Sequence, residues 1–474
     1  MTKTKLGFWS IVLLAINSII GSGIFLTPGS VVSMVGTKAP LAYFFAAIFA
    51  SILAITFAAA AKYVNKSGAA YSYAKAAYGE NMGFYMGVVR FFSASVAWGV
   101  MAVGVIRTTF SIFGWNQSFW NITLGFIVLM LIIMIINMMG RRVFTIINDL
   151  STIGKLGALA LIIVAGVVVL LKTGANHFNE LNNMTTSTGK PLIPAFTTSG
   201  FVMAVISAFY AFTGFEAVAT GSEDMKEPEK NLPRAIPLAI LVIALVYICT
   251  IAVAMMVNPA AMVTTKQVVA LVAIFHNKVL QDVILVGAII SMFGINVASS
   301  FHTPRVLEAM ANENQVPQFI ARRTKRNFPL VSFVITLVLA MGIPMAFQYN
   351  LPTIIVISAT VRFFEFIVIP LGVIRFYRGT NREEILPANK HFFTDVILPT
   401  NKHFFTDVIL PILSVVITVF LLLRYDWVSE FSIRHGGQLV PNWFAIFGML
   451  FGFIILPLIL FWLTRRERAE NEDK

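Results

Sequence analysis

The chain has 474 residues, of which 58% are hydrophobic and 12% are charged, and its formal net charge at pH 7 is +13. So few charges would not cover a soluble protein of this length, and apolar runs of about 20 residues, each able to cross a ~30 Å hydrocarbon core, recur from end to end. The lone Cys249 excludes a disulfide framework. We therefore predict an all-α integral membrane protein with about twelve transmembrane helices.

The basic residues lie mostly on one side of the predicted spans. If the N-terminus is inside, most of the 35 Lys and Arg residues fall in the termini and the even-numbered junctions, as at 141–142 and 322–326. The other side keeps few, such as Lys172 and Lys278. This bias predicts a multi-pass protein of the plasma membrane, embedded in the lipid bilayer, with both termini cytoplasmic. Because the charge is an orientation signal, no nucleic-acid partner is expected.

Glycines interrupt the first span. The basic stretch Met1–Lys5 leads into it without the small-residue cleavage site of a signal peptide, so we interpret residues 10–29 as a span. Gly21, Ser22 and Gly23 lie in the middle of this run, where each Gly costs a helix about 1 kcal/mol relative to Ala. They indicate either a small-residue seam for helix packing or a break in the helix.

The sixth span carries a matching interruption, with Thr213 and Gly214 in mid-run and Glu216 just after. Two broken helices five spans apart run in opposite directions, which predicts an inverted repeat of five plus five helices. We expect a transport core at 1–380, with spans 1–5 at about 6–172 and spans 6–10 at about 195–376.

Two broken helices facing each other suit a zwitterion. Unwinding a helix in lipid leaves N–H and C=O groups that cost several kcal/mol unless something satisfies them. An amino-acid carboxylate accepts hydrogen bonds from free N–H groups at the start of a half-helix, where the helix dipole is positive. Its ammonium donates to carbonyls that end the other half-helix.

Several charges fall inside predicted spans. Lys155, on span five, lies about eleven residues or ~16 Å from the inner end, too deep to reach water easily. On span ten, Arg362 and Glu365 share a helix face, so we expect them to form a structural ion pair, with a gating role as the alternative. Arg90, near the start of span three, is expected to reach the aqueous interface, and no function is assigned to it.

A tandem repeat precedes span eleven, because NKHFFTDVILP occurs at 389–399 and again at 401–411. Solenoid repeats are longer than this, so it does not indicate a repeat architecture. We expect a cytoplasmic loop at 381–411 that holds the duplicated segment and runs into span eleven. Spans eleven and twelve and a basic tail would occupy 407–474. We interpret the repeat as a recent duplication at the entry to span eleven, and no functional role is assigned to it.

Four stretches resemble the amino acid–polyamine–organocation permeases: GSGIF at 21–25, KSGAAYSYAKAAYG at 66–79, FYAFTGFEAVATGSEDMKEPEKNLPRAI at 209–236 and TPRVLEAMANENQVP at 303–317. The resemblance implies a LeuT-like core plus two C-terminal helices. It also implies a substrate-binding set made of the two breaks: Ile19, Gly21, Ser22, Gly23, Tyr210, Thr213 and Gly214. In that set Ser22 and Gly23 hold the carboxylate, and the carbonyls of Ile19, Tyr210 and Thr213 receive the ammonium. Tyr210 is either an aromatic gate above the substrate or an ordinary packed ring.

The resemblance also implies gating and coupling roles for Lys155, Tyr210 and Glu216. In sodium-coupled transporters of this fold, oxygens on spans one, five and eight hold a cation, and the Lys155 ammonium would stand in its place and tie span five to the bend in span one. The alternative is a structural lysine bonded to carbonyls. Glu216 would belong to an inner gate, or it would cap the resumed half-helix.

The expected function is therefore sodium-independent secondary transport of amino acids by alternating access, most simply of neutral ones, with proton symport or exchange. A cationic amino acid or amine exchanger is an alternative, and a non-transporting amino-acid sensor is an alternative from another class. No enzyme activity, catalytic residue, metal site or cofactor is expected, since no nucleophile–base pattern or phosphate-binding glycine loop occurs. The oligomeric state stays open.

Overall fold

The computed structural model describes residues 7–64, 70–139, 141–185, 189–220, 225–265, 269–324, 328–379, 403–435 and 438–472. It confirms the all-α membrane fold. Among these residues, ten helices are long and apolar enough to cross a membrane, and two shorter apolar helices, Thr198–Tyr210 and Leu330–Ala346, stand where the sixth and ninth spans were expected.

The first half of the chain contains the helices α1 (Phe8–Ile19), α2 (Gly23–Leu26), α3 (Pro28–Val35), α4 (Ala39–Tyr63), α5 (Ala70–Tyr78), α6 (Glu80–Phe113), α7 (Phe119–Met139) and α8 (Arg141–Thr173). The second half contains α9 (Thr198–Tyr210), α10 (Phe215–Thr220), α11 (Pro228–Val257), α12 (Pro259–Thr264), α13 (Lys278–Asn312), α14 (Leu330–Ala346), α15 (Leu351–Tyr377), α16 (Leu410–Arg424), α17 (Trp427–Glu430), α18 (Trp443–Leu450) and α19 (Leu456–Glu472). Two short strands, β1 (Ser432–His435) and β2 (Gln438–Pro441), pair as an antiparallel hairpin before α18.

Burial separates central helices from peripheral ones. In the most apolar window of α6, 83% of the residues are buried, whereas the corresponding window of α8 is 28% buried. Large apolar side chains such as Ile153 and Leu171 project outward from α8. In a membrane protein, outward apolar residues face lipid and not water. The core is therefore built around α6 and its neighbours, with α7, α8 and α16 towards the periphery.

Both predicted helix breaks are present. Helix α1 ends at Ile19 and α2 begins at Gly23, while α9 ends at Tyr210 and α10 begins at Phe215. The breaks lie against each other, because a Cβ added at Gly23 would overlap the backbone of Ala211. Gly214 has φ +116° and a Cβ there would overlap the carbonyl of Ser18. Glycine is required at both positions, at one for space and at the other for both space and conformation.

The duplicated segment lies partly outside the described residues, since its first copy falls within 380–402. The second copy is helical from Phe405 and continues into α16. Its Asp407 is fully buried and accepts hydrogen bonds from Lys62 Nζ and from the Tyr63 hydroxyl, each at 2.7 Å. The second copy therefore contacts the core, because this carboxylate pairs with a cation at the end of α4.

Candidate functional site

The break in the first span exposes backbone donors. Among the described residues, no group accepts a hydrogen bond from the N–H groups of Gly21, Ser22, Gly23 and Ile24. These are the leading N–H groups of the resumed half-helix, which have no partner inside a helix. Ser22 Oγ is also buried without a hydrogen-bond partner in the described part of the chain, although the Tyr210 hydroxyl lies beside it. The break therefore offers a group of hydrogen-bond donors that suits an anion.

Backbone acceptors lie on the other side of the same space. The carbonyl oxygens of Ile19 and Thr213 receive no hydrogen bond from any residue that the structure describes. The carbonyl of Tyr210 is already used, because it accepts from the N–H of Thr213 at 3.3 Å and from its hydroxyl at 2.8 Å. Within the part of the chain that the structure describes, the two breaks thus present unpartnered donors and unpartnered acceptors to one site.

Lys155 fixes the remaining carbonyls of the first break. Its ammonium donates to the carbonyl oxygens of Asn17 at 2.8 Å and Ile20 at 2.6 Å, and its side chain is 1% exposed. From α13, the Ser291 hydroxyl donates to the carbonyl of Gly21 at 3.3 Å. Spans five and eight therefore both hold the unwound end of α1, and the contact of Lys155 with span one is present in the structure.

A network of buried charges lies beside the second break. Glu216 Oε1 accepts from Arg90 and from Arg362, both at 3.1 Å, and Arg90 also contacts Glu365 at 3.4 Å. Glu216 Oε2 accepts from the N–H of Gly214 at 2.8 Å and so caps the start of α10. The network joins α6, α10 and α15.

Two expectations about these charges are wrong. Arg362 forms its ion pair with Glu216 and not with Glu365, because its long side chain reaches across to α10. There it gives the buried Glu216 carboxylate a second cationic partner beside Arg90, which offsets the cost of burying the charge. Arg90 does not extend to the aqueous interface, because two buried carboxylates hold its guanidinium inside the bundle. Sequence reasoning missed the role of Arg90, because the sequence does not show that its side chain meets carboxylates from two other helices.

These elements enclose a cavity of about 260 Å³. It is lined by the predicted residues Ile19, Gly21, Ser22, Gly23, Lys155, Tyr210, Thr213, Gly214 and Glu216 and, in addition, by Leu14, Asn17, Ser18, Arg90, Ala94, Ala97, Met101, Gly294, Ile295, Ala298, Ser299, Phe301, His302, Thr303 and Arg362. All nine predicted site residues therefore share one cavity. The additional wall from α6 and α13 was not predicted in detail, since single alanines, serines and a histidine in a span give no signal.

The cavity opens toward the end of the bundle where α1 begins. The lining residues of α1 precede its break, and those of α13 extend toward its C-terminus as far as His302 and Thr303. On the far side of the break, Ile24 and Phe25 are fully buried, as is Phe209 before the second break.

Among the described residues, no group of three or more His, Cys, Asp or Glu side chains could hold a metal ion.

Comparison with known proteins places the chain in a family. The sequence model of the family described as amino acid permease matches residues 6–460. The chain belongs to the amino acid permease family. This permease is 37% identical to an uncharacterized transporter of Mycobacterium tuberculosis, over 96% of the chain and 94% of the relative. The chain is therefore a multi-pass membrane transporter.

Two further relatives of this amino acid permease carry more specific names. A serine/threonine exchanger of Bacillus subtilis is 29% identical over 66% of the chain and 70% of its own length. The large neutral amino acids transporter small subunit 2 of Mus musculus is 28% identical over 70% of the chain and 63% of its own length.

Proposed function

We propose that this permease is a sodium-independent secondary transporter that moves a neutral amino acid across the plasma membrane by alternating access, with both termini cytoplasmic. The proposal is carried by the N–H groups at 21–24 and the carbonyls of Ile19 and Thr213, which have no hydrogen-bond partner among the described residues and lie around one cavity. A zwitterion satisfies both ends at once, which neither a simple anion nor a simple cation does. The names of the serine/threonine exchanger and of the large neutral amino acids transporter support a neutral substrate.

In this mechanism the substrate carboxylate binds the N–H groups of Ser22 and Gly23 and the Ser22 hydroxyl. The ammonium donates to the carbonyls of Ile19 and Thr213, and the carbonyl of Tyr210 becomes a third acceptor once the Thr213 hydroxyl rotates away. Each hydrogen bond to a charged group contributes about 1.5–3 kcal/mol, so a handful of them is ample for binding. The Tyr210 ring, buried beside Ser22, acts as the lid on the closed side.

Lys155 and Glu216 act in coupling and gating. The Lys155 ammonium donates to two carbonyls of span one, so it provides a fixed cation where a sodium ion would need oxygen ligands. We therefore propose proton symport or exchange and not sodium coupling. Glu216 and its two arginines hold the resumed half of span six to α6 and α15, and this network is the inner gate that must rearrange during transport.

The experiment is uptake of radiolabelled serine and leucine into liposomes that contain the purified chain. We expect saturable uptake that is unchanged when sodium is replaced by choline. Faster uptake into liposomes preloaded with unlabelled substrate would identify exchange, and faster uptake under an inward proton gradient would identify symport. Protein-free liposomes are the control. Sodium-stimulated uptake, or no saturable uptake of any amino acid, contradicts the proposal.

A further inference from the structure

Tyr247 contacts the second break from outside the cavity. It lies on α11, its side chain is fully buried, and its hydroxyl donates to the carbonyl of Ala211 at 3.2 Å. Its ring also packs on the Phe212 ring, with the two centroids 5.1 Å apart. Neither Tyr247 nor Ala211 lines the cavity. Tyr247 therefore holds two consecutive residues of the unwound stretch on the side that the substrate does not touch.

The Ala211 carbonyl needs this donor because the helix ends beside it. In an unbroken helix the oxygen would accept from the N–H of Phe215, but the turn at Gly214, with φ +116°, interrupts that pattern. Among the described residues, the Tyr247 hydroxyl is the donor found for this carbonyl. Ala211 is 1% exposed, so without the hydroxyl its carbonyl would be buried without a hydrogen bond, which costs free energy.

Ala211 also lies against the donors that the first break exposes. A Cβ added at Gly23 would lie 2.4 Å from the Cα atom of Ala211, so the two backbones are in contact. The N–H groups at 21–24 have no acceptor among the described residues, and the proposed clamp uses them for the substrate carboxylate. An Ala211 carbonyl that lost its own donor would compete with the carboxylate for these N–H groups.

Other helices satisfy carbonyls of the first break in the same way. Lys155 on α8 donates to two of them, and Ser291 on α13 donates to a third. The carbonyls of Ile19 and Thr213, which the proposed clamp uses, have no such donor in the part of the chain that the structure describes. The surrounding helices thus satisfy acceptors that the substrate does not need, and Tyr247 does so from α11.

We propose that Tyr247 is a positioning residue of the amino-acid clamp. Its hydroxyl keeps the Ala211 carbonyl turned away from the N–H groups at 21–24, so that these stay available to the substrate carboxylate. Tyr247 acts through the backbone of span six and not by contact with the substrate, so its effect is the same whatever the substrate side chain. The role rests on the proposed function, which assigns the carboxylate to those N–H groups.

The test is Tyr247→Phe, which removes the hydroxyl and keeps the ring. We expect the KM for labelled serine to rise about tenfold, because one hydrogen bond is lost and a competing acceptor is released. The maximal uptake rate should stay within about twofold of the unmodified chain, and the KM for alanine and leucine should rise by the same factor as for serine. The serine concentration that half-maximally raises the unfolding temperature in detergent should increase equally, which measures binding without transport.

The matched control is Tyr349→Phe, which also removes a buried tyrosine hydroxyl. The Tyr349 hydroxyl lies 2.7 Å from Thr123 Oγ1, and neither residue lines the cavity. We expect Tyr349→Phe to lower the unfolding temperature about as much as Tyr247→Phe does, since each loses one buried hydrogen bond. Its KM values should stay within about twofold of those of the unmodified chain.

The outcomes separate the two proposals. Absence of saturable uptake of any amino acid by the unmodified chain overturns the proposed function. With uptake present, an unchanged KM in Tyr247→Phe overturns the positioning role. Loss of the folded protein in Tyr247→Phe, or an equal rise of KM in Tyr349→Phe, overturns it in favour of a structural role. A rise of KM confined to one amino acid overturns it in favour of contact with the substrate side chain.

Discussion

Lys155 supplies hydrogen bonds that the broken first span cannot make for itself. Where α1 ends, the carbonyls of Asn17 and Ile20 have no N–H group of a next turn, and the Lys155 ammonium donates to both. A lysine at this depth costs free energy unless such partners are present, so the break in α1 and the charge on α8 stabilise each other. The break in α1 and Lys155 on α8 therefore depend on each other.

Replacing Lys155 tests whether the unwound end of α1 needs its hydrogen bonds. We expect Lys155→Met to lower uptake by more than about tenfold, because two charge-assisted hydrogen bonds to the unwound segment are lost together. The measurement is uptake of labelled serine at equal amounts of reconstituted protein. Lys172→Met, at the exposed end of the same helix, is the matched control and should behave like the unmodified chain. Full activity of Lys155→Met would show that the unwound segment needs no donor from α8.

Candidate residues could be singled out from the sequence where they break a local rule. Gly23, Gly214 and Lys155 each stand in an apolar run at a cost in free energy, and the structure brings all three to one cavity. Charge pairing was not accessible in this way, because Arg362 had a carboxylate three residues away yet pairs with a residue on another helix. His302 gave no signal, since a neutral imidazole is tolerated in a span.

At the scale of elements, the second copy of the duplicated segment attaches α16 to α4. Asp407 is 1% exposed and Lys62 is 4% exposed, and the Tyr63 hydroxyl donates to the same carboxylate. Removing one member of a buried ion pair leaves a buried charge without its partner, which costs free energy. Breaking this pair should therefore lower the stability of the protein more than breaking an ion pair at the surface.

We expect Asp407→Asn to destabilise the protein by about 3–5 kcal/mol, because it leaves the Lys62 ammonium buried without its anion. The double variant Lys62→Met with Asp407→Leu should recover much of that loss, since both charges are removed together. The measurement is thermal unfolding in detergent.

The matched control for this pair is the Lys278–Asp282 pair, in which the side chains are 74% and 45% exposed. Asp282→Asn should cost at most about 0.5 kcal/mol, because exposed pairs contribute little. Equal effects of Asp407→Asn and Asp282→Asn would show that the second copy of the duplicated segment is not anchored through Asp407.

Elements were predictable to different degrees. The apolar runs gave the order of the spans, because a span must hold about 20 apolar residues in sequence. The start of α16 could not be placed from the sequence, since the two copies of NKHFFTDVILP are identical. In the structure, the second copy leads into α16 and its Asp407 packs against Lys62.

At the scale of the whole molecule, the position of the cavity indicates toward which end of the helix bundle the site opens. Its walls lie on the side of the breaks where α1 begins, and the segments beyond the breaks are buried. If the N-terminus is cytoplasmic, as the distribution of basic residues predicts, the structure corresponds to an inward-open state. Sequence patterning predicted the orientation but not the state, because both states of a transporter share one sequence and differ in packing.

Site-directed labelling tests state and orientation together. In a Cys249→Ser background, which removes the single native cysteine, we expect Ser299→Cys to react with a membrane-impermeant thiol reagent applied from the cytoplasmic side. Saturating substrate should slow the reaction, because it fills the space in front of α13. His276→Cys, exposed just before α13, should react from the opposite side only. Ser207→Cys, which is 2% exposed, should react slowly from both sides. The rates are measured in inside-out and right-side-out vesicles, and reaction of Ser299→Cys from the His276 side alone would mean that the cavity opens outward.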